Sequence, residues 1–215
     1  MAKEKEKEKL RVLTAVGRLI NNSLFEKDAF VDDKGREAVP SYKVEIAFDD
    51  AKDIVELENA IVAAAVAEWG KDAEKDYDNG AIKSPILDGN ELAKRREAKG
   101  KKGDAYKGKL VIRASTIFNR NGDDAPGGVY VCGPDAKEID FADRGKIYNG
   151  AYGQVVVNPS PYLISGDKGV TLYLQGFQLI KDGERLRGQD VSSLFKPMMG
   201  AESAEGGKGR RGRGA

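Results

Sequence analysis

The chain has 215 residues, 40% hydrophobic and 7% aromatic, with 36 Lys and Arg against 35 Asp and Glu and no histidine. That length supports one substantial core or two small ones, and a net charge of +1 excludes a global attraction to polyanions, so any such attraction needs local segregation of charge. The missing histidines remove the commonest general base and metal ligand, and a single cysteine, Cys132, excludes an intrachain disulfide and a multi-thiolate zinc site.

No run approaches the ~18 apolar residues that span a bilayer, and the start of the chain lacks the apolar centre of a signal peptide. The expectation is a soluble, intracellular protein. Residues 2–9 alternate Lys and Glu and read as a solvated arm. From Leu10 to Ile20, Val12 and Val16 with branched neighbours suggest a strand broken near Gly17. Asn21, Asn22, Asp32, Asp33 and Gly35 then mark loops. At 42–48, Tyr42, Val44, Ile46 and Phe48 alternate with Lys43, Glu45 and Ala47, the period of a half-buried strand.

A helix follows over 50–70. Asp50 suits the N-cap, and Ile54, Leu57, Ile61, Ala65 and Trp69 form one apolar stripe. Gly70 stands where a left-handed terminating residue belongs. The exposed side carries Glu56, Glu58 and Glu68, so this helix is expected to plug a sheet rather than touch a polyanion. Residues 88–109 carry Lys94, Arg95, Arg96, Lys99, Lys101, Lys102, Lys107 and Lys109 with almost no apolar content. They read as a mobile basic loop outside the core, with about one helical turn at 91–98.

Strand-like runs at 110–118, 129–132, 151–157 and 170–180 complete the pattern, each bounded by Gly, Pro, Asn or Asp. The short run 129–132 is expected to pair with 110–118, with Cys132 as a buried strand residue. Beyond about 200 the chain is Gly, Ala and Ser with a basic end, which cannot offset its ordering entropy by burial. The organisation is an arm at 1–9, one domain at 10–199 and a disordered basic tail at 200–215. About five short strands and one helix make the fold mainly β, an OB-fold five-stranded barrel with a capping α-helix and long loops. An immunoglobulin-like sandwich is the alternative, but it seldom needs so long a helix.

Catalysis finds no support. Asp123–Asp124 and Asp140 with Asp143 match no metal-ligand loop, and neither a phosphate loop nor a nucleophile elbow is present. Binding of single-stranded nucleic acid needs cations along a groove and aromatic faces on which bases stack, and both occur. Arg113 lies opposite Leu110, Ile112 and Ala114 on its strand, and Phe118 closes that strand. Tyr148 and Tyr152 flank the Asn149–Gly150 turn, Tyr162 follows two prolines in a loop, and Tyr173 shares one strand face with Phe177. Phe25, Phe48, Phe141 and Trp69 read as core. The candidate phosphate contacts are Lys43, Arg113, Lys101, Lys102 and Lys107, joined by Arg210, Arg211 and Arg213 of the tail. The candidate stacking residues are Phe118, Tyr148, Tyr152, Tyr162 and Tyr173. Each has a plainer counterpart, since strand aromatics are commonly core and charge runs commonly only solubilise.

The run Gly17-Arg18-Leu19 to Leu24-Phe25-Glu26-Lys27 and Tyr42-Lys43-Val44 before the helix, then Tyr106-Lys107-Gly108 before Ala114-Ser115, resemble one phage family in order and spacing. So do Tyr148-Asn149-Gly150-Ala151-Tyr152-Gly153, Asn158-Pro159 with Tyr162, Gly166-Asp167-Lys168-Gly169-Val170 and Lys181-Asp182-Gly183-Glu184. The family is the replication single-stranded-DNA-binding proteins of tailed phages, once catalogued as a domain of unknown function, and the resemblance spans about residues 10–188. It implies an OB barrel without cofactor or catalysis that protects single strands during phage replication, recombination or repair in the cytoplasm of the infected host. It carries the Tyr148–Gly153 segment and the Tyr162 region over as aromatic contacts.

Two features depart from the pattern. Many single-strand binders end in an acidic tip, whereas this chain ends basic, which points the tail toward DNA, duplex included. The basic 88–109 stretch is also longer than the pattern requires. The expected partners are single-stranded DNA, duplex DNA through the tail, and phage or host replication proteins, for a monomer or homodimer. About four neutralised phosphates give a log–log salt slope near −3, at roughly −0.7 per contact. The rival readings are a protein-interaction or virion-associated module, a metal-dependent nuclease using the acidic turns, and an RNA binder.

Overall fold

The computed structural model describes residues 10–29, 39–120 and 128–186. The arm at 1–9, the tail at 200–215 with Arg210, Arg211 and Arg213, and the Asp123–Asp124 turn lie outside them. Among the described residues nine strands and three α-helices follow one another as β1 (Val12–Leu13), β2 (Gly17–Asp28), β3 (Ser41–Phe48), α1 (Val55–Trp69), α2 (Asp72–Asp78), β4 (Ile82–Lys83), β5 (Ile86–Asp88), α3 (Gly89–Glu97), β6 (Leu110–Thr116), β7 (Tyr130–Cys132), β8 (Tyr152–Ile164) and β9 (Asp167–Lys181).

The sequence period decides which faces are buried. Tyr42, Val44, Ile46 and Phe48 of β3 all point into the core, as alternation requires. Asp50 accepts from the Lys52 amide at 3.1 Å and caps a 3-10 turn at Ala51–Ile54 that runs into α1. Leu57, Ile61 and Ala65 bury the stripe of α1, while Trp69 packs partly buried against the same cluster. Gly70 ends the helix at φ +87°, its N–H bonded to the Val66 carbonyl at 2.8 Å, a conformation that favours glycine.

The strands pair as one sheet that returns on itself. β2 pairs antiparallel with β3, β3 with β6, β8 with β9, and β8 with β2. A parallel contact joins β6 to β9, with Ala114 opposite Leu172, and so completes a circuit of five strands. β1, β4, β5 and β7 add to it. The result is mainly β with a helix against the sheet, and it is a nine-stranded sheet rather than a plain five-stranded barrel.

Four expectations are corrected. Asn21 and Asn22, expected to mark a loop, lie inside β2, where β3 pairs them with Glu45 and Val44. The 88–109 stretch is not a core-free loop: Asp88 caps α3 by accepting from the Asn90 amide at 2.7 Å, and Leu92, Ala93 and Tyr106 are buried with Ile20, Ala47 and Val111 in a second cluster. A few well-placed apolar groups suffice to seat a polar segment on an outer sheet face. β7 pairs parallel with β9, Tyr130 opposite Gly176, and not with 110–118, because β6 is already flanked by β3, β5 and β9. Tyr173 and Phe177 do not share a face. Gln175 is an extra residue between the pairs Val157–Leu174 and Val156–Gly176, so the alternation slips there, leaving Tyr173 outward and Phe177 in the core.

Candidate nucleic-acid interface

The outward faces of the circuit carry a continuous polar and aromatic row. Ser23 pairs with Lys43, Lys43 with Ser115, Ser115 with Tyr173, and Tyr173 with Asn158. Directly paired residues lie on the same side of a sheet, so these side chains cross β2, β3, β6, β9 and β8 together. At the β9 end the row opens into a groove of about 430 Å³ lined by Thr116, Phe118, Arg120, Tyr130, Asn158 and Tyr173, among others.

Three exposed rings stand at this groove. Phe118 is 71% exposed, Tyr173 43% and Tyr130 40%. A large apolar ring so exposed contributes little to the core, and exposed aromatics beside polar rims mark contact sites. The backbone holds them in place. The Arg120 N–H donates to the Gly128 carbonyl at 3.1 Å, and the Gly128 N–H donates to Asn119 Oδ1 at 3.2 Å, which ties the end of the β6 segment to the start of β7. Arg120 lies over the Tyr130 ring at 5.2 Å and pairs with Glu138. Tyr162 lies farther along β8, in register with the face that carries Asn158 and Ser160. A Cβ on Gly169 would meet its ring at 2.4 Å, so the phenol lies flat across that strand neighbour.

Of the residues expected from sequence, Phe118 and Tyr173 come together here, and Lys43 joins through the paired row. Tyr162, expected in a loop, lies within β8 opposite Gly169, outside the groove lining. Lys43 is ion-paired with Asp28 at 3.6 Å. Arg113 is on the same outer face beside Glu45. Tyr148 and Tyr152 are at the opposite end of β8. The Tyr148 hydroxyl donates to Asp182 Oδ1 at 2.7 Å, with Arg185 over its ring at 3.8 Å, and Lys181 lies over Tyr152 at 4.6 Å. There they fasten the 182–186 segment to the body. Lys101 and Lys102 are exposed on the turn after α3. Lys107 bonds Glu97 at 2.8 Å and Asp104 at 3.0 Å, and these hydrogen bonds push its ammonium up to about 12.

Sequence reasoning missed Tyr130 and Arg120. The signal was present in Val129-Tyr130-Val131: strict alternation puts the tyrosine opposite two buried valines. Phe25 and Phe141, expected as core, are partly buried and meet edge to face at 6.4 Å. Cys132 is buried, and burial pushes its thiol up. Among the described residues no three His, Cys, Asp or Glu side chains form a metal-ligand group, and no helix is long and apolar enough to cross a membrane.

Residues 10–203 match the family model of the ssDNA-binding protein of Enterobacter phage Enc34. The chain belongs to that family. Its fold is similar to the solved single-stranded DNA-binding protein from bacteriophage Enc34, at 15% identity over 86% of this chain and 88% of that one, with a TM-score of 0.53. The same bacteriophage Enc34 protein in complex with ssDNA aligns at 15% identity over 82% and 89%, with a TM-score of 0.52. The single-stranded DNA binding protein gp2.5 encoded by bacteriophage T7 aligns at 14% identity over 91% of this chain and all of that one, with a TM-score of 0.55. At these identities the likeness is one of fold. No curated protein sequence matches the chain.

Proposed function

We propose that this Enc34-family protein coats single-stranded DNA without sequence preference, and protects it during phage DNA replication, recombination and repair in the cytoplasm of the infected host. It performs no catalysis in this reading. The observation that carries the proposal is the groove lined by the exposed rings of Phe118, Tyr130 and Tyr173 beside Arg120. Bases stack on such rings irrespective of sequence, each for roughly 1–3 kcal/mol. The backbone then tracks the row through Lys43 toward Lys101 and Lys102.

The closed strand circuit supports an OB barrel, whose outer strand face and adjoining loops are the usual seat of oligonucleotides. The second strand of the circuit, β3, supplies Lys43, and the β8–β9 hairpin supplies Tyr162 and Tyr173. The domain is taken as 10–199. The tail arginines Arg210, Arg211 and Arg213 are proposed as duplex contacts, and replication proteins as partners of a monomer or homodimer.

Fluorescence anisotropy of a labelled oligo-dT and a matched duplex, at low and high salt, with and without residues 200–215, tests this. Tight, salt-sensitive preference for the single strand is expected, with any duplex affinity lost on truncation. Absence of binding to either strand form refutes the reading and favours an interaction module.

A further inference from the structure

Arg113 is directly across from Glu45, and its Nε donates to Glu45 Oε1 at 2.5 Å. Half of the Arg113 side chain is exposed, but only 13% of the Glu45 side chain. The other carboxylate oxygen, Oε2, accepts from the Tyr106 hydroxyl at 2.6 Å. Tyr106 is 1% exposed, and the Arg96 guanidinium covers its ring at 4.9 Å. Burial and the neighbouring carboxylate hold the phenol protonated well above its ordinary range, so it remains a donor at working pH.

An exposed ion pair such as Lys43–Asp28 separates at little cost when a better anion arrives. Glu45 differs, because both of its oxygens are engaged and one is tied to a phenol locked in the second core cluster. Stripping its partners would leave a nearly buried carboxylate uncompensated, which is strongly unfavourable.

We propose that Glu45 is a built-in competitor for phosphate, fixed by Tyr106, that occupies Arg113 and so biases this interface toward base stacking and away from backbone charge. The inference rests on the single-strand reading above. A phosphate that approaches Arg113 meets a cation already neutralised, with a carboxylate directly behind it. Even if the phosphate wins, the freed carboxylate takes up a counterion, and the net counterion release per contact shrinks below the usual ~0.7. Glu45 is therefore a positioning residue that sets the balance of recognition.

The test is the slope of log affinity against log salt for oligo-dT, measured on wild type, R113Q, E45Q and the double variant. R113Q alone is expected to change the slope by less than about 0.3, because its charge is already compensated. E45Q is expected to steepen the slope by ~0.7 and to tighten binding roughly five- to tenfold near 50 mM salt, the value of one further phosphate contact. The double variant is expected to return to R113Q. A full ~0.7 loss in R113Q, or an unaltered slope in a folded E45Q, overturns the proposal. R113Q strips Glu45 of one partner, so a melt accompanies each variant. Should either melt early, Y106F, which releases Glu45 Oε2 and keeps both charges, carries the test, a steeper slope supporting the proposal and an unaltered one overturning it. Absence of any wild-type binding would overturn the single-strand reading itself, and the inference along with it.

Discussion

Replacing Phe118 by Ala isolates the stacking contribution from folding. The ring is 71% exposed, and the local backbone is held independently of it, the Phe118 N–H donating to Thr116 Oγ1 at 3.3 Å. Truncation thus opens no cavity, and stability should stay within the ±0.5 kcal/mol typical of surface changes. On a bound strand the ring loses a stacked base, roughly 1–3 kcal/mol. At about 1.4 kcal/mol per decade, Kd rises roughly 5- to 150-fold. Anisotropy with labelled oligo-dT gives the affinity, and a thermal melt of the same sample gives the stability. The slope against salt should not move, since no charge is lost. An affinity within twofold of wild type, with an unaltered melt, would refute the argument that this groove is where bases stack.

Two other substitutions separate structural from binding roles. Tyr148→Phe removes the hydroxyl that bonds Asp182 and Gly183; it should cost about 1 kcal/mol of stability and leave Kd for oligo-dT unchanged, as read by denaturant melts and anisotropy together. Leu92→Ala empties part of the second cluster beneath α3 and should cost about 2–5 kcal/mol; a melt within 0.5 kcal/mol of wild type, on the order of a surface change, would show that the basic segment is not seated on the sheet.

How much could be read from the sequence follows from how much each position depends on distant partners. The 42–48 strand and the helix ending at Gly70 obey local periodicity and capping, and both stand where expected. The seating of 88–109 was illegible because three buried side chains, Leu92, Ala93 and Tyr106, are spread over fifteen residues and gain an apolar partner surface only once β2, β3 and β6 have assembled. The β7 pairing depends on which sheet edges are already taken. Gln175 is invisible to a period-two rule, since a bulge inverts the alternation without altering composition. Phe118 and Tyr173 were found as aromatics near strands, yet Tyr130 was passed over inside an apolar run. Tyr148 and Tyr152, chosen for their flanking glycine turn, have cationic partners 29–37 residues away that no local pattern announces.

The parallel contact of β6 with β9 also bears on how the chain reaches its native state. Ala114 and Leu172, which meet there, are 172 − 114 = 58 positions apart, whereas β8 and β9 join through a turn of two residues. Contacts of high sequence separation form slowly, because loop closure must be completed before they reward it. During synthesis the paired strands β2, β3 and β6 therefore wait with the Ala114–Ser115 edge of β6 unpaired until β9 has emerged. An open edge of that kind is a template for association with other chains, so the yield of native protein should depend on temperature and concentration during expression more than on final stability.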